Sequence, residues 1–312
     1  MTETESVFTT TDGTKLRLYT WRPAGEPRAV VQIAHGASEH AARYRRFARL
    51  LTDAGYAVFA HDQRGHGRSA TEFGAIGVAR PGGWTAMIDD LHQLTLWAKG
   101  EWPDVPVVLF GHSMGASVVQ NYLPSWGAEL DAVVLSGPPA PITDTALVEL
   151  LEAVAAGDAA SQPSEIFAQV FAGFNQPFAD AAPEGTTITG FEWLSRDPDE
   201  VQAYVDDPLC GSDAPLTNGF VADMVTQGIN AATLERLALI PKHLPMLVVA
   251  GDLDPAAGGG EGVRALVEGY RALGLDHLDV LLYEGGHHEM LNETNRDRVQ
   301  ADILAWLART LG

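Results

Sequence analysis

A serine set between glycines is the strongest chemical signal in the sequence. Gly111, His112, Ser113, Met114 and Gly115 form a G-x-S-x-G pattern between an apolar run and a helical pattern. A tight turn there would project the serine hydroxyl, and glycines two residues to either side leave room for the turn. The free N–H groups that begin the next helix suit a developing oxyanion. The pattern predicts that Ser113 is a nucleophile.

A serine hydroxyl needs a base, and the base needs a carboxylate to orient it. Asp252 and Asp254 follow one later apolar run, and His287 and His288 follow the next. The chain order of serine, acid and histidine suits a catalytic triad on a parallel sheet, because the carboxyl ends of parallel strands meet at one edge. Spacing alone does not choose between the two aspartates or between the two histidines.

The loop after the first apolar run is rich in small residues and is a second part of the predicted site. An oxyanion hole needs two N–H donors, and we assign them to Ala37 and Met114. His35, Gly36 and Ser38 are expected to contact the substrate. The alternative for this loop is an ordinary strand-to-helix turn.

Apolar runs alternate with helical patterns along most of the chain, which favours an α/β fold with a mostly parallel sheet covered by helices on both faces. The segment Glu5–Trp21, with Asp12-Gly13 at its middle, predicts a hairpin on the sheet edge. The runs expected to be parallel strands are 29–34, 57–60, 105–110, 132–135, 246–250 and 280–282.

This alternation stops between residues 138 and 240, which have helical patterns and no convincing strand. We therefore predict that residues 1–137 and 241–312 form the core and that residues 138–240 form an inserted helical cap. The cap's apolar patches would either line the substrate channel, pack on the core or touch a membrane surface transiently. The predicted cap helices are 146–156, 165–171, 199–205 and 217–227.

Composition narrows the function classes. The 312 residues carry a formal net charge of −21, which disfavours binding to nucleic acid. The densest basic group, Arg43, Arg45, Arg46 and Arg49, is interpreted as a solvated helix face. The single cysteine, Cys210, is interpreted as a buried free thiol.

Location and metal content follow from the same survey. We expect no secretory signal and no membrane span, and so a cytoplasmic protein. The segment Asp62–Ser69, with His61 and His66, lacks a metal-ligand spacing and is expected to brace loops. No metal or other cofactor is predicted.

Five ordered segments closely resemble the monoacylglycerol lipases and the related lysophospholipase-like α/β-hydrolases. The resemblance implies the α/β-hydrolase fold, assigns the acid to Asp254 and the base to His288, and supports Ala37 and Met114 as oxyanion donors. Ser38 departs from the family pattern, which usually has glycine there. The segments are 35–40 with 43–44 (HGASEH…RY), 57–69 (AVFAHDQRGHGRS), 111–115 (GHSMG), 251–254 (GDLD) and 285–293 (GGHHEMLNE).

The resemblance implies hydrolysis of monoacylglycerols or similar medium- to long-chain esters through an acyl-enzyme. A short-chain carboxylesterase or a lysophospholipase would use the same machinery. A serine aminopeptidase would need an acidic subsite for a free amine, for which Glu165, Glu192 or Asp199 are the candidates in the cap. The rival from another class is a ligand-binding protein that has lost turnover.

Overall fold

The computed structural model describes residues 1–80, 82–141, 144–231 and 233–312, and an eight-stranded sheet lies at its centre. The strands are β1 (Thr2–Thr9), β2 (Lys15–Arg22), β3 (Val30–Ala34), β4 (Ala57–His61), β5 (Val107–His112), β6 (Ala132–Ser136), β7 (Met246–Gly251) and β8 (Leu278–Tyr283). They are ordered β1-β2-β4-β3-β5-β6-β7-β8. The pairs β1–β2 and β2–β4 are antiparallel, and all other pairs are parallel. The predicted mostly parallel sheet and its edge hairpin are confirmed.

Helices cover both faces of this sheet. They are α1 (Arg45–Asp53), α2 (Gly67–Phe73), α3 (Gly83–Glu101), α4 (Met114–Trp126), α5 (Thr145–Val154), α6 (Glu165–Ala181), α7 (Pro198–Val205), α8 (Asn218–Ala231), α9 (Leu234–Leu237), α10 (Gly259–Ala272) and α11 (Arg296–Leu311). Among the described residues, none of these helices is both long and apolar enough to cross a membrane.

Strand β5 shows why its run is apolar throughout. Every residue of the strand is buried, and alternate side chains enter opposite layers of the core. Val107 and Leu109 pack in the layer that contains α3, α4 and α10, whereas Val108 and Phe110 pack in the layer that contains α1 and α11. A strand buried on both faces has no place for alternating polar residues.

The segment between β6 and β7 contains α5 to α9 and, among its described residues, no strand; Ile142, Thr143 and Ala232 of the predicted cap lie outside the described residues. Helix α6 runs to Ala181, ten residues beyond the predicted end, and contains Pro177. Leu151 of α5 and Phe220 of α8 belong to the same buried cluster as α3 and α4. The inserted segment (residues 138–240) thus shares the core of the α/β layer.

Candidate active site

Ser113 lies at the turn between β5 and α4 with a φ of +52°, in the left-handed region that residues with a β-carbon rarely adopt. Its N–H donates to the carbonyl oxygen of Ser136 at 3.0 Å. A β-carbon on Gly115 would collide with the carbonyl oxygen of Ala34, and one on Gly111 would lie 2.6 Å from the carbonyl oxygen of Gly115. Glycine at both positions is therefore what permits the turn.

The structure brings His288 and Asp254 together. His288 Nδ1 donates to Asp254 Oδ2 at 2.8 Å, and both side chains are almost fully buried. The other carboxylate oxygen, Oδ1, accepts the N–H of Ala256 at 2.9 Å. Asp254 follows β7 and His288 follows β8, so the ends of two adjacent parallel strands position the pair. This tautomer leaves His288 Nε2 free to accept a proton.

The neighbours of this pair have other partners. Asp252 Oδ1 accepts the N–H of Gly285 at 2.7 Å and so fastens the turn after β8. His287 Nδ1 donates to the carbonyl oxygen of Glu192 at 2.8 Å, and its ring packs on Phe178. Asp254 and His288, the residues that the resemblance implied, are thus the ones that pair, whereas Asp252 and His287 hold loops in place.

Ser136 and Gly137 connect the serine turn to the histidine. Ser136 accepts the Ser113 N–H, and a β-carbon on Gly137 would lie 3.1 Å from His288 Nδ1. The His288 ring also lies 4.8 Å, centroid to centroid, from the rings of His112 and Trp193. Ser136, the last residue of β6, thus contacts the serine turn, and Gly137 after it contacts His288.

Electrostatics favour the imidazolium form of His288. Burial opposes that form, but the charge of Asp254 and its hydrogen bond, with the charges of Glu289 and Glu39, raise the pKa of His288 above its ordinary value. A base whose pKa is raised in this way accepts the serine proton more readily.

The loop predicted to supply an oxyanion donor (residues 35–40, the oxyanion loop) lies directly beside the serine. A β-carbon on Gly36 would lie 3.1 Å from Ser113 Cβ, so glycine is needed for this approach. Ser38 has a φ of +51°, in the region that glycine adopts most readily. This accounts for glycine being the usual residue at this position in the family that the sequence resembles. The carbonyl oxygen of Ser38 accepts the Tyr204 hydroxyl and the Gly211 N–H, both at 2.9 Å. Two residues of the inserted segment therefore hold the loop.

A buried ion-pair network joins the oxyanion loop to the histidine loop. Glu39 Oε1 accepts the Gly36 N–H and the Tyr44 hydroxyl. Arg43 donates to Glu39 at 2.6 Å and to both carboxylate oxygens of Glu289 at 2.6 and 2.8 Å. Burial opposes the ionised form of Glu289, but Arg43 lowers the pKa of that carboxyl well below its ordinary value.

This network corrects one sequence interpretation. The Arg43 side chain is only 12% exposed, whereas Arg45, Arg46 and Arg49 lie at the surface as expected for a solvated helix face. The difference arises because Arg43 belongs to the turn that precedes α1, where it faces inward. Two glutamates in the sequence could have indicated that Arg43 is paired inside the protein: Glu39, four residues before it, and Glu289, beside the predicted base.

His35 and Asp62 brace the loops around the site. The His35 side chain is fully buried, donates from Nδ1 to the carbonyl oxygen of Gly36 and accepts the Gln63 N–H at Nε2. Both of its ring nitrogens are thus occupied, so a contact with substrate would have to come from its backbone. Asp62 accepts the N–H groups of Ala41 and Arg68 at 2.9 and 2.7 Å, in the bracing role expected of that segment.

The architecture is that of the α/β-hydrolases, which two similar solved structures share. A highly thermostable carboxyl esterase from Bacillus coagulans, in complex with glycerol, matches with a TM-score of 0.90 at 26% identity, over 100% of both chains. A lipase in its open form matches with a TM-score of 0.86 at 30% identity, again over 100% of both chains.

Sequence comparison identifies the family within that class. Residues 25–295 match the family described as serine aminopeptidase, S33, and the chain belongs to this family. A monoacylglycerol lipase from Mycolicibacterium smegmatis is 30% identical over 313 residues, which cover 99% of each protein. The predicted resemblance and the predicted fold class are confirmed.

Proposed function

We propose that this protein hydrolyses monoacylglycerols or similar medium- to long-chain carboxylic esters through an acyl-enzyme on Ser113. The observation that carries the proposal is the buried His288–Asp254 pair at 2.8 Å, which lies against Gly137, the residue after the Ser136 that bonds to the strained serine turn. Its relatives support ester chemistry, since they include a monoacylglycerol lipase and a carboxyl esterase in complex with glycerol.

The proposed mechanism uses only groups of this chain and requires no cofactor. Ser113 Oγ attacks the ester carbonyl carbon while His288 Nε2 takes the serine proton. Asp254 stabilises the imidazolium, and the N–H groups of Ala37 and Met114 stabilise the oxyanion. His288 then protonates the leaving alcohol. Water, deprotonated by the same histidine, attacks the acyl-enzyme and releases the fatty acid.

Aromatic side chains next to His288 support an apolar acyl site. Trp193 packs on the His288 ring, and Phe171 and Phe174 lie 5.1 and 5.2 Å from the Trp193 ring. Phe167 continues the series at 4.6 Å from Phe171. All but His288 come from the inserted segment, so we propose that residues 138–240 are a cap that selects the acyl chain.

The same segment presents apolar side chains to solvent, among them Leu150, Val170 and Ile188. We propose that they contact lipid surfaces transiently. Because the chain carries a net charge of −21, we expect faster hydrolysis of monoacylglycerol in zwitterionic vesicles than in anionic ones. Equal rates in 1 M salt and unequal rates in dilute buffer would attribute the difference to charge.

A cytoplasmic location is also proposed, supported by a single thiol that forms no disulfide.

An aminopeptidase activity lacks support in the cap. Glu192 accepts hydrogen bonds from Thr189, Gly190 and Asn175, so it is committed to its own turn. Glu165 and Asp199 lie exposed on the surface of the inserted segment. A ligand-binding protein without turnover would not need the strained serine or the buried acid–base pair.

The test is a series of p-nitrophenyl esters and monoacylglycerols from acetyl to palmitoyl, assayed on wild type and on Ser113→Ala. We expect medium or long chains to be preferred and kcat to fall by at least about 10⁴-fold in the variant. Ser117→Ala is the matched control, because Ser117 lies one turn further along α4 and is half-buried like Ser113.

Two results would change the proposal. Turnover confined to acetyl and butyryl esters would leave the triad in place and make the protein a short-chain esterase. Activity that survives Ser113→Ala at the level of Ser117→Ala would remove Ser113 from the mechanism.

A further inference from the structure

A nitrogen, an oxygen and a sulfur donor meet between the oxyanion loop and the inserted segment, outside the triad. His40 Nε2 lies 2.9 Å from Asp207 Oδ2, and His40, Asp207 and Cys210 each place one potential ligand atom within 4.8 Å of the other two. His40 and Cys210 are buried, whereas the Asp207 side chain is 28% exposed. The group therefore has a solvent-facing entrance at its carboxylate.

These three side chains make few other bonds. Cys210 is the only cysteine of the chain and is free. His40 Nδ1 is buried and has no hydrogen-bond partner among the described residues. Asp207 Oδ1 accepts the Leu209 N–H at 2.9 Å, which fixes the carboxylate with Oδ2 toward His40. A tetrahedral zinc ion holds its ligand atoms about 3.3 to 3.8 Å apart, so small side-chain shifts would suffice.

The surrounding charges favour a cation. The carboxylates of Glu39, Glu289 and Asp207 surround this part of the molecule, and Arg43 is the cation that faces Cys210. Arg43 is already paired with Glu39 and Glu289. These four groups carry a net charge of −2, and a Cys210 thiolate would make it −3, so a divalent ion would reduce the net charge to −1.

We propose that His40, Asp207 and Cys210 form a binding site for a divalent cation of the zinc class. Imidazole and thiolate ligands select zinc over magnesium or calcium, and water would complete the coordination. On binding, the Cys210 thiol loses its proton to solvent and the sulfur bonds to the metal. The His40 imidazole binds the metal through Nε2 with its proton on Nδ1, and the thiol contributes one released proton per ion.

Metal at this site would cross-link the oxyanion loop to the inserted segment. His40 ends that loop two residues after Ser38, and Cys210 precedes Gly211, whose N–H donates to the Ser38 carbonyl oxygen. Zinc should therefore stabilise the folded protein and raise its Tm in proportion to its occupancy.

The test uses the full chain, freed of metal with a chelator and then titrated with Zn²⁺ by calorimetry and with Co²⁺ by absorbance. We expect one ion per chain, and a thiolate-to-cobalt charge-transfer band in the near ultraviolet. Cys210→Ser and His40→Asn should abolish that band or weaken binding at least about tenfold. His92→Asn is the control, because His92 also pairs with a carboxylate, that of Glu129 at 3.0 Å, with no thiol beside it.

A cobalt complex without the thiolate band, or zinc affinity unchanged by Cys210→Ser, would overturn the proposal in favour of adventitious surface binding. Both altered side chains are buried, so the Tm of each variant is first compared with wild type in the presence of chelator. If a variant does not fold, the wild-type cobalt spectrum and the zinc-dependent Tm still decide. Ester hydrolysis by the metal-free protein tests the proposed function separately.

Discussion

His288 illustrates how single hydrogen bonds determine the chemistry of this site. Its Nδ1–H is held by Asp254, so the ring is fixed in the tautomer that leaves Nε2, the base in the proposed mechanism, free to accept a proton. The same carboxylate, despite burial, helps to raise the pKa of His288. Orientation and basicity of the base therefore depend on one neighbour.

At this scale we predict the pH dependence of Asp254→Asn. The base must be unprotonated, so the acid limb of kcat/KM in wild type should lie above pH 6.5, the ordinary histidine value. The variant should lose about 10⁴-fold in kcat, and its acid limb should move to lower pH because the charge that raises the histidine pKa is gone. The measurement is kcat/KM with p-nitrophenyl butyrate from about pH 5 to about pH 9.

Asp252→Asn is the matched control, since Asp252 follows the same strand but serves the Gly285 turn. Its acid limb should coincide with that of wild type. A limb that stays in place in Asp254→Asn and moves in Asp252→Asn would reverse the assignment of the acid.

Residue types in the site could be predicted from the sequence because their spacing is local. The serine turn, the acid pair and the histidine pair each occupy a few consecutive residues. Spacing does not choose between the two aspartates or between the two histidines. The choice depends on which side chains face each other in the folded chain, and Asp254 and His288 are 34 residues apart in sequence. The strained backbone of Ser38 was also hidden, since nothing in its local sequence demands a positive φ.

Among the elements, the two loops that carry the site depend on one guanidinium. Arg43 lies between Glu39 of the oxyanion loop and Glu289 of the histidine loop, and it also stacks 4.8 Å above the Tyr204 ring of α7. Removing it would leave two buried carboxylates without a cation.

We predict that Arg43→Met lowers the free energy of unfolding by about 3–5 kcal/mol, measured by urea titration. Arg46→Met should cost about 0–1 kcal/mol, because the Arg46 side chain is 43% exposed in its pair with Glu200. The double variant Arg43→Met/Glu39→Gln should recover part of the loss, since one uncompensated charge is then removed. An equal loss of unfolding free energy in Arg43→Met and Arg46→Met would contradict a structural role for the ion-pair network around Arg43.

Element boundaries were harder to predict than element types. The helical pattern of the sequence covers residues 165–171, but α6 continues past Gly173 and Pro177, two residue types that disfavour a helix interior. Tertiary contacts override that local preference, since Phe171 and Phe174 pack together on Trp193. The strands of the central sheet were predicted to within a few residues because they are apolar on both faces.

The molecule as a whole buries several neutral histidines near its site. Burial, with His66 nearby, lowers the pKa of His35 well below its ordinary value. Burial lowers the pKa of His66 to about 4, and burial with Arg64 nearby lowers that of His61 to about 3. The unfolded chain therefore binds more protons than the folded chain below pH 6.5.

We predict that the free energy of unfolding falls as the pH drops from about 6.5 toward 4, by about 1.4 kcal/mol per pH unit for each such histidine. His66→Asn should make this slope shallower by about 1.4 kcal/mol per pH unit, because one proton fewer is taken up on unfolding. His277→Asn, at an exposed histidine, should leave it unchanged. The slopes come from urea titrations at several pH values, and an unchanged slope in His66→Asn would show that His66 is not the group that binds the proton.

The carbonyl oxygen of Ser38 has a consequence for protein engineering. It accepts the Tyr204 hydroxyl and the Gly211 N–H, so the segment that would choose the ester is bonded to the loop that would stabilise its transition state. A chimera that grafts residues 138–240 from a relative must therefore bring an equivalent hydroxyl and an equivalent N–H. Grafts that end before residue 204 and leave residues 204–211 native keep both donors, and these are the junctions at which specificity can be exchanged without rebuilding the catalytic loop.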